Sequence, residues 1–202
     1  MAQITLKGDP VHTIGELPKV GDKAPDFLLT KTDLSDISLK DVSGKKVILN
    51  IFLGVDTSVC SISLARFNEE IKKFNNAVVI GVSMDLPFSH ARFCEAEGME
   101  NVITASELRN REFGSNYGVR MVDGPLAGLL ARAIVVIDEN SKVIYTQLVR
   151  EIGEEPDYEK ALNMLKNTPS AGEDLNSCVQ SSTAEHARAD DIDEPCDDGR
   201  AG

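Results

Sequence analysis

The chain has 202 residues and a formal net charge of −12 at pH 7, with 42% apolar and 27% charged residues. This length suits one domain with a full core. Nucleic-acid binding needs clustered Lys and Arg, and no basic run is present. No apolar stretch of about 18 residues predicts a membrane span. Residues 1–7 lack the basic and apolar segments of a signal peptide, so we expect a cytoplasmic protein.

The acidic charge is concentrated near the C-terminus. Residues 168–202 carry nine acidic and two basic side chains, are rich in Ser, Ala, Asp, Glu and Gly, and show no apolar periodicity. Such a composition cannot bury enough apolar surface to fold. We therefore predict a single domain over residues 1–167 and a disordered acidic tail over residues 168–202.

Apolar periodicity predicts the elements of the domain in chain order. Strands are predicted at 4–6, 11–14, 26–29, 37–39, 47–52, 77–83, 102–104, 132–137 and 143–149. The first two strands form a hairpin, and the nearly unbroken apolar run 47–52 predicts a strand buried on both faces. Helices are predicted at 58–74, 87–97, 107–113 and 157–166. Pro87 suits the first position of its helix, Gly98 ends that helix, and the region 155–157 caps the last one. This order indicates an α/β fold, in which helices flank a mixed sheet.

The cysteines exclude some kinds of site. Cys60, Cys94, Cys178 and Cys196 form no Cys-x-x-Cys pair, and no histidine lies at ligand spacing from them. We therefore predict no metal site and no cofactor. A reducing compartment also argues against persistent structural disulfides, which leaves burial or redox chemistry for the thiols. We interpret the two cysteines of the tail as bystanders.

Cys60 is the most informative of these cysteines. It follows the apolar run 47–52 after a short loop and falls in the first turn of the predicted helix 58–74. The unpaired N–H groups and the dipole of a helix N-terminus favour an anion, and so a nucleophilic thiolate. The Thr57 hydroxyl is near enough to meet the sulfur, and Thr57 or Ser58 can cap the helix. The alternative is a buried cysteine that acts as a small hydrophobe.

Several separated blocks of sequence resemble the bacterial thiol peroxidases, the atypical two-cysteine peroxiredoxins. The blocks are DTSVC at 56–60, DLPF at 85–88, RFC at 92–94, YGV at 117–119 and DGPLAGLLARA at 123–133. The resemblance runs over residues 3–166. It implies a thioredoxin-like fold with an N-terminal β-hairpin, a homodimer, and reduction of hydrogen peroxide and alkyl hydroperoxides at the expense of thioredoxin.

The resemblance also implies roles for individual residues. Cys60 corresponds to the peroxidatic cysteine and Cys94 to the resolving cysteine of the same chain, while Thr57 and Arg132 complete the peroxide site. The donors of a guanidinium suit a thiolate and a polarised peroxide, although a surface salt bridge is the alternative for Arg132. A Cys60–Cys94 disulfide needs α-carbons within about 7 Å, so we expect the two helices to unwind partly. The alternative for Cys94 is a buried apolar position beside Phe93.

One position departs from the family pattern, which has a proline seven residues before the peroxidatic cysteine. Leu53 stands there, followed by the flexible Gly54. We predict peroxidase chemistry at a lower rate, because leucine still shields the sulfur but fixes the backbone less. The alternative function is a thioredoxin-fold redox sensor or binding module with little turnover. A general dithiol oxidoreductase is disfavoured because the Cys-x-x-Cys motif is missing.

Overall fold

The structure, a computed structural model, describes residues 1–168. Its strands are β1 (Gln3–Leu6), β2 (Asp9–His12), β3 (Leu28–Lys31), β4 (Asp36–Ser38), β5 (Lys46–Ile51), β6 (Ala77–Ser83), β7 (Val102–Ser106), β8 (Ala133–Ile137) and β9 (Val143–Leu148). Its helices are α1 (Ser58–Glu70), α2 (Pro87–Glu97), α3 (Glu112–Asn116) and α4 (Tyr158–Asn167). None of these helices is long and apolar enough to cross a membrane. Of the tail predicted over residues 168–202, residues 169–202, with Cys178 and Cys196, lie outside the described residues.

Strands β3 to β9 form one mixed sheet of seven strands in the order β4-β3-β7-β6-β5-β8-β9. The three strands β5, β6 and β7 are parallel neighbours, whereas β8, β9 and the β3–β4 pair run antiparallel to their partners. Strands β1 and β2 form a separate antiparallel hairpin, in which Gln3 lies opposite His12. The predicted α/β class, with a mixed sheet and an N-terminal hairpin, is confirmed.

Strand β5 lies inside the sheet and leads the chain to the site. All of its residues are buried. Val47 pairs with Val78 of β6 on one side and with Ile137 of β8 on the other. A strand that is paired on both edges and covered on both faces is apolar almost throughout, which explains the run seen in the sequence. The chain leaves the sheet at the carboxyl end of β5, an end where ligand sites of parallel strands form.

Two apolar layers pack against the sheet. On one face Phe113 belongs to a buried cluster with Leu49 of β5. On the other face Phe67 of α1 clusters with Ile48 of β5, and Cys60 belongs to the same cluster. Ile48 and Leu49 serve opposite faces because successive side chains alternate along a strand. Cys60 therefore lies in the core layer between α1 and the sheet.

The ends of α2 and α4 follow the predicted signals. Pro87 is the first residue of α2, where its missing N–H leaves no donor unpaired. Gly98 ends the helix in the left-handed conformation, at φ 65°. Asp157 precedes α4, and its carboxylate accepts a hydrogen bond from the backbone N–H of Lys160 at 3.0 Å.

The helix predicted at 107–113 is wrong in position, because α3 covers Glu112–Asn116 instead. Glu107 is fully buried. Its carboxylate accepts the backbone N–H of Gly114 at 2.6 Å and contacts the Arg120 guanidinium at 3.1 Å. A buried carboxylate needs hydrogen-bond and ionic partners. Because Glu107 finds them in Gly114 and Arg120, residues 107–111 do not form a helix.

Strand bounds near Asp26 also differ from the prediction. The strands predicted at 26–29 and 37–39 are found at Leu28–Lys31 and Asp36–Ser38. One carboxylate oxygen of Asp26 accepts the backbone N–H groups of Phe27 and Leu39, at 2.9 and 3.3 Å. These contacts hold Asp26 and Phe27 outside the sheet, so pairing begins only at Leu28. Leu39–Val42 forms a short 3₁₀ helix directly after β4.

Candidate active site

Cys60 lies in the first turn of α1, after the loop that follows β5. Its side chain is fully buried and its thiol is free. Its backbone N–H donates to the carbonyl of Thr57 at 3.0 Å. The sulfur therefore lies at the end of α1 where the helix dipole favours negative charge, as predicted from the order of strand, loop and helix.

The Thr57 hydroxyl makes the shortest contact with the sulfur. Its oxygen lies 2.7 Å from the Cys60 sulfur and 3.2 Å from the carbonyl oxygen of Gly54. Thr57 also occupies the N-cap position, but its side chain makes no capping hydrogen bond. The expectation of a contact between hydroxyl and sulfur is confirmed. Capping by the Thr57 side chain is wrong, because the hydroxyl is turned towards the sulfur instead of the helix N–H groups.

Arg132 is the second residue whose side chain contacts the Cys60 sulfur. It directly precedes β8, is only 3% exposed, and places its Nη1 atom 3.4 Å from the Cys60 sulfur. A surface salt bridge, the alternative interpretation of Arg132, is therefore wrong. The buried guanidinium brings a positive charge and N–H donors to the Cys60 sulfur, and both stabilise a thiolate there.

The segment that follows β9 orients the guanidinium, a feature that the sequence did not reveal. The Arg132 Nε–H donates to the carbonyl of Ile152 at 3.2 Å. The neighbouring Glu151 carboxylate accepts backbone N–H groups of the β1–β2 turn, from Lys7 at 2.9 Å and Gly8 at 3.2 Å. One short segment thus ties the N-terminal hairpin and the Arg132 side chain together.

Leu53, the residue at the position of the family's proline, is buried. Only 8% of it is exposed, and it belongs to an apolar cluster with Ile4 and Val11 of the hairpin and with Ala131, the neighbour of Arg132. The hairpin therefore packs on the loop that leads to Cys60. Leucine excludes water from this side of the loop through its apolar contacts.

The Asp85 carboxylate contacts the backbone of the loop between β5 and α1. It accepts the backbone N–H of Val55 at 2.9 Å and the Ser83 hydroxyl at 2.7 Å. Burial raises the pKa of this carboxyl, but the contacts with His90, Ser83 and the Val55 N–H outweigh burial and leave the pKa below its ordinary value. Asp85 is the first residue of the DLPF block at 85–88, yet its contacts arise only when the chain folds.

Cys94 has different surroundings from Cys60. It lies in the last turn of α2, is partly exposed and is a free thiol. Its sulfur lies 3.4 Å from the Thr104 hydroxyl of β7. It also lines an open pocket of about 360 Å³ together with Ala91 and Met99. The structure thus brings Cys60, Thr57 and Arg132 together and leaves Cys94 outside that group.

Within residues 1–168, no group of three or more His, Cys, Asp or Glu side chains is arranged to hold an ion. At Cys60 the structure offers a sulfur nucleophile flanked by a hydroxyl and a guanidinium.

A cysteine at a helix N-terminus, after an interior strand of a mixed sheet and with a hydroxyl and a guanidinium at its sulfur, is typical of proteins of thiol redox chemistry. Comparison with known proteins agrees. The model of the Redoxin family matches residues 19–162. The chain is 55% identical over 165 residues to proteins named thiol peroxidase from Mycobacterium bovis and Mycobacterium tuberculosis, covering 82% of this chain and 99% of each relative.

Solved structures show the same relationship. A peroxiredoxin-like protein from Aquifex aeolicus matches with a TM-score of 0.78 and 39% identity, over 82% of this chain and 96% of that one. A thiol peroxidase from Chromobacterium violaceum matches with a TM-score of 0.75 and 25% identity, over 81% and 95%. The chain belongs to the redoxin family and, within it, to the thiol peroxidases. It is a peroxidase enzyme with a thioredoxin-like fold, as the sequence blocks predict.

Proposed function

We propose that the enzyme reduces hydrogen peroxide and organic hydroperoxides to water and alcohols, with Cys60 as the peroxidatic cysteine. One observation carries this proposal. The buried Cys60 sulfur lies between the Thr57 hydroxyl at 2.7 Å and the Arg132 guanidinium at 3.4 Å, at the N-terminal end of a helix. This arrangement stabilises a thiolate and offers donors to a peroxide oxygen that approaches it.

The first step is an attack of the Cys60 thiolate on one oxygen of the peroxide O–O bond. A sulfur–oxygen bond forms, the O–O bond breaks, and the leaving oxygen takes a proton to become water or an alcohol. The sulfur is oxidised to a sulfenic acid and the peroxide is reduced. Thr57 and Arg132 are the catalytic partners, because their donors stabilise the negative charge that develops on the oxygens.

The second step makes Cys94 the resolving cysteine. Its sulfur attacks the sulfenic sulfur of Cys60, a disulfide forms, and the hydroxyl group leaves as water with the thiol proton. Disulfide geometry needs α-carbons within about 7 Å, so the segments that carry the two thiols rearrange. Both thiols lie within one turn of a helix end, at the start of α1 and the close of α2, where helices open most readily.

The third step is reduction of this disulfide by thioredoxin through thiol–disulfide exchange. The partial exposure of Cys94 and the open pocket beside it support access by an external dithiol. A homodimer in the cytoplasm, with a domain over residues 1–167 and an acidic tail beyond it, completes the proposal. Neither a cofactor nor a metal has a part in these steps, and nucleic acid and membranes are not partners.

Steady-state peroxide consumption with thioredoxin, thioredoxin reductase and NADPH tests this function. The unaltered protein should turn over, Cys60→Ser should be inactive, and Cys94→Ser should oxidise once and then stop. Cys178→Ser and Cys196→Ser are the matched controls and should keep full turnover. A single oxidation without turnover by the unaltered protein would contradict the proposal and favour a peroxide sensor.

A further inference from the structure

A largely shielded chain of hydrogen bonds joins the loop before Cys60 to the helix that carries Cys94. It runs from the backbone N–H of Val55 to the Asp85 carboxylate, then to the Ser83 hydroxyl and to the Nε2 atom of His90, with distances of 2.9, 2.7 and 2.8 Å. His90 lies on α2 and is fully buried. The two segments that must rearrange in the proposed mechanism thus share one anchor.

The direction of each hydrogen bond follows from the number of donors. Ser83 has one hydroxyl proton, and the Asp85 carboxylate is the stronger acceptor, so the hydroxyl donates to Asp85. The Ser83 oxygen then accepts the backbone N–H of Asp85, at 3.1 Å, and the Nε2–H of His90. All hydrogen-bonding capacity of this hydroxyl is used. Within the described residues the Nδ1 atom of His90 has no hydrogen-bond partner, and its Nε2 atom also lies 3.6 Å from the Asp85 carboxylate.

The packing around this chain leaves little freedom. A Cβ atom at Gly54 would lie 3.1 Å from an oxygen of Asp85, so the loop backbone rests directly on the carboxylate. The Ser106 hydroxyl of β7 donates to the backbone carbonyl of Asp85 and fixes it to the sheet. The His90 ring lies beside Phe52, with ring centroids 6.4 Å apart. Movement of either segment away from the sheet must break contacts of this group.

We propose that Asp85, Ser83 and His90 form a latch that holds the Cys60 loop and α2 in the reduced arrangement and thereby limits the rate of disulfide formation. These three are positioning residues, because they act on the backbone of the loop and on α2 rather than on the sulfurs. The inference rests on the proposed role of Cys94. It adds that the two segments open together, since both depend on the Asp85 carboxylate.

Two substitutions separate the latch from a general effect on stability. His90→Leu removes the Nε2–H donor, whereas His90→Gln keeps an N–H donor of similar reach. Gly98→Ala is the matched control, because a side chain in the left-handed conformation weakens α2 at its far end without touching Asp85. Ser83→Ala is a second way to break the chain if His90→Leu does not fold.

Hydrogen exchange of the reduced protein tests the latch without any peroxide. We expect His90→Leu and Ser83→Ala to speed exchange about two- to tenfold in both residues 53–57 and α2, the size expected for losing one net hydrogen bond. His90→Gln should behave like the unaltered protein, and Gly98→Ala should speed exchange in α2 alone. Faster exchange confined to α2 in His90→Leu and Ser83→Ala would overturn the latch.

Single-turnover oxidation by hydrogen peroxide then measures the consequence. We expect His90→Leu to form the Cys60–Cys94 disulfide about two- to tenfold faster, while Cys60 oxidation changes by less than about twofold. An unchanged or slower disulfide step in a folded His90→Leu variant would overturn the proposal. If the unaltered protein formed no Cys60–Cys94 disulfide, the proposed function would fail, and the exchange pattern would still decide whether the latch exists.

Discussion

The surroundings of Cys60 and Cys94 differ in ways that suit different tasks. Cys60 is fully buried at the N-terminal end of α1, with a hydroxyl and a guanidinium at its sulfur. Cys94 is partly exposed in the last turn of α2, and its own carbonyl accepts the N–H groups that close the helix. A helix dipole favours an anion at the first position and disfavours it at the second. The surroundings of Cys60 thus suit attack on a peroxide, whereas those of Cys94 in the reduced arrangement do not.

The largest expected effect on this difference between the two cysteines concerns Arg132. Arg132→Gln should slow oxidation of Cys60 by hydrogen peroxide about 10²- to 10³-fold, because a preorganised donor at the reacting atoms is lost. Rapid-mixing kinetics of the reduced protein measures this rate. Arg120→Gln is the matched control, since Arg120 is a shielded arginine that pairs with Glu107 away from the sulfur. An equal loss in both variants would mean that Arg132 acts only through stability.

The hydroxyl contacts of the two cysteines offer a matched pair of substitutions. Thr57→Val should slow Cys60 oxidation about 10- to 100-fold, the loss expected for a hydrogen bond to a charged group. Thr57→Ser should restore most of the rate. Thr104→Val removes the hydroxyl beside Cys94 and should leave Cys60 oxidation within about twofold. Equal effects of Thr57→Val and Thr104→Val would break the comparison.

The loop before Cys60 provides a smaller effect. Leu53→Pro should speed Cys60 oxidation about two- to fivefold, because proline lowers the conformational entropy of the loop. A peroxide titration of both proteins measures the change. Ile4→Ala, which loosens the packing on Leu53 from the hairpin side, is the companion variant and should slow the reaction. A Leu53→Pro variant no faster than the unaltered protein would contradict the predicted cost of leucine here.

The smallest effect concerns the pH dependence of stability. The pKa of Asp85 is lower in the folded protein than in the unfolded chain, so its contribution is present at neutral pH and is lost as the pH falls through the folded value. Asp85→Asn should lower the free energy of unfolding by about 1 kcal/mol at pH 7. The difference in the free energy of unfolding between Asp85→Asn and the unaltered protein should disappear as the pH falls below about 4. Denaturant unfolding between pH 7 and about pH 3 measures this difference. A difference that does not change with pH would contradict a lowered pKa of Asp85 in the folded protein.

Sequence reasoning recovered the elements whose signals are local. The apolar run of β5, the Pro87 and Gly98 boundaries of α2 and the Asp157 cap of α4 all depend on neighbours in the chain. It failed for the segment at Glu107, because that carboxylate takes its partners from Gly114 and Arg120 only after folding. Helical propensity was overridden there by a buried polar contact.

The contacts of the site also divide into those made within one helical turn and those made only on folding. The contact between Thr57 and Cys60 follows from their spacing in one turn, so it was predictable. The position of Arg132 at the sulfur follows from the pairing of β5 with β8, which residue patterns alone do not reveal; the family resemblance supplied it. Asp85 lies in the block at 85–88, but its hydrogen bonds with Ser83 and the Val55 N–H, and that of Ser83 with His90, were not predictable, because they join segments that only the fold brings together.

The most direct test is to identify the product of one peroxide equivalent by mass spectrometry. The reduced protein is mixed with hydrogen peroxide in the presence of a sulfenic-acid trap, and each cysteine is then mapped. We expect a Cys60–Cys94 disulfide in the unaltered protein and a trapped sulfenic acid at Cys60 in Cys94→Ser. First oxidation at Cys94, Cys178 or Cys196 would contradict the assignment of Cys60 as the residue that attacks peroxide.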